Sequence, residues 1–362
     1  MKKTSLYEAH LKAGGKIVNF TGWALPVQYS SVLEEHRATR KNAALFDVSH
    51  MGEIIVKGKG AERFFKKLIP TSIDRLKIGK GMYTCFCNDH GGVIDDLFIF
   101  KLKEDEFYLV VNASTKDKDL TWLQDNEIEG VEIIDVSEKT SKIDLQGPKS
   151  LQILKKIINS DGLNDLKRFY FRQEKFKNEE VMISCTGYTG EIGYELFCSN
   201  KIAPFLWNEL LATGESFGLK PAGLGARDIL RLEACYSLYG HELADEISPI
   251  EAGLKWLVNS KDSYIGEKVL KQQIKEGVQI NLVCLKVIGR GIPREDYQVQ
   301  KDGVTLGYIT SGGFSPSLKK GIALAYLTNR SVEIGDKVDI IIREKAVQAL
   351  VAPRPFYKSK DI

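Results

Sequence analysis

Residues 88–100 read NDHGGVIDDLFIF, and no other stretch constrains the fold as tightly. A Gly91-Gly92 turn opens onto an apolar strand carrying two adjacent carboxylates, Asp95 and Asp96. Successive side chains of a strand point to opposite faces. Strict alternation puts Asp96 with Ile94, Phe98 and Phe100, and Asp95 with Val93, Leu97 and Ile99. Apolar residues on both faces predict a strand covered on both sides. A carboxylate there is costly unless something binds it. Two readings meet that cost: a turn-side acid that caps Gly91 or Gly92, or a ligand site, where buried acids tend to gather.

The chain has 362 residues, enough for two or three domains, and its 43% hydrophobic content supplies real cores. A net charge of +3 argues against nucleic acid or a membrane surface as partner. There is no apolar run long enough to span a membrane and no signal core behind Met1-Lys2-Lys3, so a cytoplasmic protein is expected. The six cysteines (85, 87, 185, 198, 235 and 284) form no Cys-x-x-Cys pair, and the five histidines (10, 36, 50, 90 and 241) show no ligand spacing. No metal is expected.

Along the chain, residues 6–11 start a short helix, and IVNFTGWALPVQYS reads as an aromatic loop plugging a core. Ser31-x-x-Glu34 is a capping box opening a helix to about Asn42. FDVSHMGEIIVKGKG reads as a strand with Gly52 near its middle, a position that often marks close approach of another group. Strands follow at 82–87, 93–102 and 107–112, the last with Tyr108, Val110 and Asn112 on one face, then a helix at 116–124. This is an α+β unit with an antiparallel sheet. A second such unit has strands at 180–185 and 194–198, joined by TGYTGEIG, and an amphipathic helix at 202–217. Residues 223–238 read as another helix. After Glu276, strand-like runs alternate with turns, predicting a small β-barrel. Within it TSGGFSPSLKKG, residues 310–321, is either a lid-like loop or an ordinary hairpin connection.

Familiar catalytic motifs are absent. No GxxxxGK[ST] or GxSxG occurs; Gly223-x-Gly225 meets Asp228 where a third glycine belongs, and His241-Glu242 meets Asp245 where a second histidine belongs. The remaining chemistry candidates are Asp96, Glu195, Tyr83, Tyr108, Tyr188, Arg227 and Arg231. By residue type alone each has a structural reading: Arg227 and Arg231 as ion-paired helix decoration beside Asp228, Glu195 on an exposed strand face, Tyr188 as a core cover.

Eight segments, in order, carry a resemblance: FTGWALPVQY, FDVSHMGE, GGVIDDL, QGP, CTGYTGEIGYEL, PAGLGARDILRLEACY, SPIEAGLKW and TSGGFSPSLKKGIALAY. Together they resemble the aminomethyltransferase, or T-protein, family of the glycine cleavage system over essentially the whole chain. The resemblance implies an α+β protein of three domains. Two interwoven α/β folate-binding units with antiparallel sheets would occupy 1–276, split about 1–50 with 140–230 and 51–139 with 231–276. A C-terminal β-barrel would occupy 277–362. It implies transfer of a one-carbon unit from the aminomethyl-lipoyl arm of an H-protein to tetrahydrofolate, within the glycine cleavage complex, without metal. Alternatives on the same scaffold are a folate-dependent demethylase of a small methylated metabolite and a non-catalytic folate-binding scaffold.

By the same resemblance Asp96 is the catalytic acid and Asp95 is structural. Glu195 anchors the pterin through a bidentate charged pair, Tyr188 and Tyr83 contact it, and Arg227 contacts folate. Asn112, on the face shared with Tyr108 and Val110, reaches polar pterin atoms. Met51 and Trp256 form apolar walls.

Overall fold

The computed structural model describes residues 1–328 and 332–360. Two sheets and a barrel organise it. A six-stranded sheet runs Phe171–Phe176, Glu179–Ser184, Gly193–Ser199, Thr140–Gln146, Ala43–Asp47 and Leu219–Pro221. Only the last pair is parallel. A five-stranded antiparallel sheet runs Gly81–Cys87, Val93–Lys103, Glu106–Val111, Gly52–Lys57 and Glu132–Asp135. The chain leaves the first sheet at Asp47, builds the second, and returns at Thr140, so the two sheets interleave along the sequence. Helix Glu267–Glu276 then stops at Gly277, and a closed six-stranded barrel runs from Ile280–Val287 to Lys345–Ala352.

Each sheet turns one face to helices. Ile153, Leu154, Leu206 and Trp207 cover Ile143, Leu145, Ile183 and Leu196 of the six-stranded sheet. Phe64, Phe65 and Leu68 cover Ile54, Ile99 and Leu109 of the other. The opposite faces meet each other. Phe100, Tyr108 and Val110 of one sheet pack on Phe171, Met182 and Phe197 of the other, with Met51 and Phe98 at the margin. The strand carrying the acid pair is therefore covered on both sides, as its composition predicts, and the polar site lies along this seam.

Several local expectations are corrected. IVNFTGWALPVQYS is a β-hairpin rather than a loop: Lys16–Phe20 pairs with Trp23–Gln28 around Thr21-Gly22, whose φ values of 47° and 88° suit a tight turn. FDVSHMGE is not one strand, because the chain steps from sheet to sheet after Asp47 and Gly52 begins the next strand. A Cβ on Gly52 would lie 2.5 Å from the Lys116 side chain and 2.6 Å from that of Val111, so the close approach is real. A bulge between Phe86 and Cys87 breaks the assumed alternation. Ile94 packs in the cluster of Leu97 and Ile99, and Val93 in that of Cys85 and Cys87. The helix read over 223–238 spans Leu224–Glu233, and Cys235 beyond it has φ 56°. In the 310–321 segment the hairpin reading holds: Val304–Ser315 pairs with Lys320–Thr328 across a turn at 316–319.

Candidate active site

The Asp96 carboxylate is held by two donors. The Tyr83 hydroxyl donates to Oδ2 at 2.8 Å, and Asn112 Nδ2 donates to Oδ1 at 2.9 Å. Asn112 also donates to Asp95, from its backbone N to Oδ2 at 3.0 Å and from Nδ2 to Oδ1 at 2.9 Å. One amide thus clamps both acids. Carboxylates only accept, so Nδ2 must face them and Asn112 offers its carbonyl oxygen to any ligand. Burial, then the Asp95 charge, pushes the Asp96 carboxyl up to about 7. Burial, then the Asp96 charge, raises the Tyr83 hydroxyl as well, which keeps it a donor. The Tyr83 ring lies 6.0 Å from that of Trp256, which is 59% exposed and stands at the rim of the seam.

The other wall comes from the six-stranded sheet. Glu195 accepts from Lys142 Nζ at 2.6 Å and from the Thr186 hydroxyl. Burial alone would lift its carboxyl, but the Lys142 charge and hydrogen bond outweigh that and hold it below the usual range. It is an ionised, buried acceptor. Lys142 Nζ also lies 3.6 Å from the Met51 sulfur. Asp144, two residues on, pairs with Arg227 Nη1 at 2.9 Å. Burial, then the Glu195 charge, pushes Asp144 up to about 7. The Arg227 guanidinium stacks on the Tyr188 ring at 4.8 Å, and the Tyr188 hydroxyl donates to the Ser237 carbonyl.

Arg227 is positioned by a cap that lies far off in sequence. Gly223, the N-cap of helix Leu224–Glu233, has no side chain to receive the helix's free N–H groups. Glu35 does so instead: its carboxylate accepts from Gly223 N at 2.9 Å, and from Tyr29 N and Ser30 N. A Cβ at Gly223 would lie 2.4 Å from the Val27 backbone carbon, so glycine is required for this approach.

Eight of the ten residues implied by the resemblance line the seam or its rim in this way. Tyr108 and Val110 lie deeper, in the sheet-to-sheet layer, the Tyr108 ring 5.6 Å from that of Phe197. Arg231 points the other way, to Glu242 at 3.0 Å and Ser311 at 2.9 Å, and ties the barrel on. Sequence reasoning missed Lys142, Asp144, Thr186, Glu53 and His50. Lys142, Asp144 and Gln146 alternate with Ile143 and Leu145, and that period-2 polar pattern was the available signal. Glu53 and His50 are buried beside Lys142. Both Glu53 oxygens and His50 Nδ1 lack a hydrogen-bond partner, as does Asp144 Oδ1. Burial raises Glu53 well above the carboxylate range; burial, then Arg227, pushes His50 down to about 3, so both are neutral. Unpaired neutral carboxyl and imidazole groups around an ionised carboxylate are polar groups that a planar ligand carrying both donors and acceptors would satisfy.

Comparison with known proteins gives a consistent result. The model of the GCVT N-terminal domain matches residues 6–262, and that of the glycine cleavage T-protein C-terminal barrel domain matches residues 281–358. An aminomethyltransferase of Thermoanaerobacter pseudethanolicus is 45% identical over 361 residues, 99% of this chain and 98% of its own. One from Caldanaerobacter subterraneus is 46% identical, over 99% and 96%. The crystal structure of the glycine cleavage system aminomethyltransferase T from Bartonella henselae superposes with a TM-score of 0.92 at 33% identity, covering 99% of this chain and 98% of that one.

Proposed function

The chain belongs to the glycine cleavage T-protein family, and from that premise we propose which reaction its seam performs and how. It is an aminomethyltransferase of the glycine cleavage system. Its donor is the aminomethyl group on the lipoyl arm of an H-protein, and its acceptor is tetrahydrofolate. The sulfur–carbon and carbon–ammonia bonds break, and carbon bonds to N5 and N10 form. The two protons leaving N5 and N10 go to the thiol and to ammonia, so methylenetetrahydrofolate forms with no net redox change.

One observation carries this reading. A half-buried carboxylate, Asp96, its carboxyl pushed up to about 7, stands on one wall of a seam whose other wall holds buried, ionised Glu195. Expelling ammonia leaves an iminium-like carbon, and ionised Asp96 stabilises that charge where water is excluded. It can also accept a proton from the folate nitrogen. In this reading Glu195 accepts the amino group and ring N–H of the pterin. Arg227, stacked on Tyr188, fits an anionic or π-rich part of folate. Tyr83 and Asn112 fix the Asp96 carboxylate in one orientation. Methylenetetrahydrofolate formed only with aminomethylated H-protein is the supporting outcome. Formation with a small methylated amine in its place indicates the demethylase, and folate binding without turnover indicates the scaffold.

Glu195→Gln should weaken folate by about 1.5–3 kcal/mol, the range for hydrogen bonds to charged groups. It also strands Lys142 as a buried cation, and breaking a buried pair costs stability, about 3–5 kcal/mol. The double variant Glu195→Gln with Lys142→Met should recover melting temperature without recovering affinity. Folate titration and thermal melts check both; unchanged affinity in the single variant removes Glu195 from the site.

A further inference from the structure

Beneath Asp96 lies a second acid that the transfer chemistry leaves unused. Asp119, on helix Lys116–Asp125, is fully buried, and among the described residues no backbone N–H or cation bonds its oxygens. The Thr115 hydroxyl is close to both Asp119 and Asp95 and donates to the Asn112 carbonyl at 3.2 Å. The other hydrogen-bonding neighbour of Asp119 is Asp95, itself fully buried. Two carboxylates only accept and cannot bond each other; two carboxyl groups sharing one proton can. Asp95 in turn receives both N–H groups of Asn112, whose Nδ2 reaches on to Asp96.

We propose that Asp119 is a positioning residue for Asp96: it keeps a proton, donates it to Asp95, and so holds the Asp95–Asn112 clamp beneath the reacting carboxylate with one negative charge rather than two. The role of Asp96 in this chain of contacts rests on the function proposed above. Other charged and titratable groups do not replace that proton. Lys118, on the same helix, is turned to the Tyr239 hydroxyl at 2.6 Å and to Asp245 at 3.1 Å. Tyr83 and Cys85 of the neighbouring strand face Asp96 with neutral side chains, both raised, as does Tyr188 from its loop, while Tyr239, also raised, lies near Asp95. Burial, then the Asp95 charge, pushes the Asp119 carboxyl up to about 10, in keeping with a retained proton.

The test uses the full chain with Asp119→Asn, Asp119→Ala and, as control, Asp96→Asn. Asparagine keeps a neutral donor toward Asp95, so Asp119→Asn should retain most of the transfer rate and the same acid limb of the pH profile. Alanine removes the donor. Its kcat should fall about 10- to 100-fold, the scale for a misplaced reacting group, with little change in KM for folate. Its acid limb should shift as Asp95 takes up the proton. A second readout needs no activity. A folded-state carboxyl raised above its unfolded value contributes stability below the unfolded value that is lost as pH rises through the folded one. The unaltered protein should therefore lose melting temperature relative to Asp119→Asn between pH 5 and 9. Equal losses of transfer in the asparagine and alanine variants, with no such gap in melting, would show that Asp119 acts as an anion and overturn the proposal. So would an alanine variant with full kcat and an unmoved acid limb. If Asp96→Asn itself transfers at full rate, the reacting carboxylate has been misassigned, and the melting comparison still decides whether Asp119 keeps its proton.

Discussion

Replacing Asp96 by asparagine should remove most of the one-carbon transfer while leaving folding and folate binding close to those of the unaltered protein. The amide has the shape of the carboxylate, and its oxygen still accepts from Asn112. What it lacks is the negative charge at the carbon that loses ammonia. One preorganised electrostatic group is worth about 2–4 kcal/mol in the transition state, a rate loss of about 10²–10³. The pH profile gives the same test a second edge. With its carboxyl lifted to about 7 by burial and the Asp95 charge, Asp96 is protonated below that pH and ionised above it. The acid limb of kcat/KM, which reports the free enzyme, should therefore fall off below about pH 7 and disappear in Asp96→Asn. Asp95→Asn should show first in the melting temperature, because Asp95 is fully buried, accepts both N–H groups of Asn112 and reaches the seam only through that residue. A stable, inactive Asp95→Asn beside an active, unstable Asp96→Asn would reverse the two roles.

How far the sequence led can be followed along the same residues. A doubly covered strand with two acids follows from NDHGGVIDDLFIF, because composition on both faces is local information. The bulge that exchanges the surroundings of Val93 and Ile94 does not, since it depends on how Phe86 and Cys87 pair across the ladder. Glu195 was a candidate by residue type, but its role was reachable only through resemblance. Its own strand says nothing of Lys142, which stands 53 positions earlier and makes the difference between a neutral and an ionised carboxyl. The cap on the Arg227 helix is likewise invisible, because Glu35 and Gly223 are 188 residues apart. The hairpin at Lys16–Phe20 and Trp23–Gln28 was legible but misread: aromatic content suggested a plug, while Thr21-Gly22 between two apolar runs was the stronger signal. Local pattern thus conveys elements and faces, whereas charge states and caps come from partners brought together by the fold.

Removing residues 277–362 should cost the rest of the chain both stability and transfer, though the barrel contributes none of the seam's acids. The barrel is fastened to the far end of the Arg227 helix. Glu233, at that helix's last turn, accepts from Ser315 Oγ at 2.5 Å and from Ser317 Oγ at 2.9 Å. Glu242 accepts from Thr310 Oγ1 at 2.5 Å, and Arg231 donates to Ser311 at 2.9 Å. Leu232 and Cys235 share a buried cluster with Cys284, Ile322 and Leu324 of the barrel. Arg354, beyond the last strand, donates to the carbonyls of Cys235 and Ala252. Losing several hydrogen bonds to charged groups, at about 1.5–3 kcal/mol each, removes a large part of a marginal stability. At about 2–4 °C per kcal/mol for a domain this size, the fragment 1–276 should melt at least about 10 °C lower, if cooperatively at all. Released from the barrel, the helix end no longer holds Arg227 against Tyr188, and the seam opens to water, which competes with folate for the activated carbon. Formaldehyde release from aminomethylated H-protein measures that competition. A milder variant, Ser315→Ala with Ser317→Ala, removes the two hydroxyl bonds to Glu233 but keeps the bond from Ser317 N and leaves the barrel in place; it should lower melting temperature without raising formaldehyde release. A fragment that melts within a few degrees of the full chain, and transfers at near-full rate without extra formaldehyde, would remove the barrel from both roles.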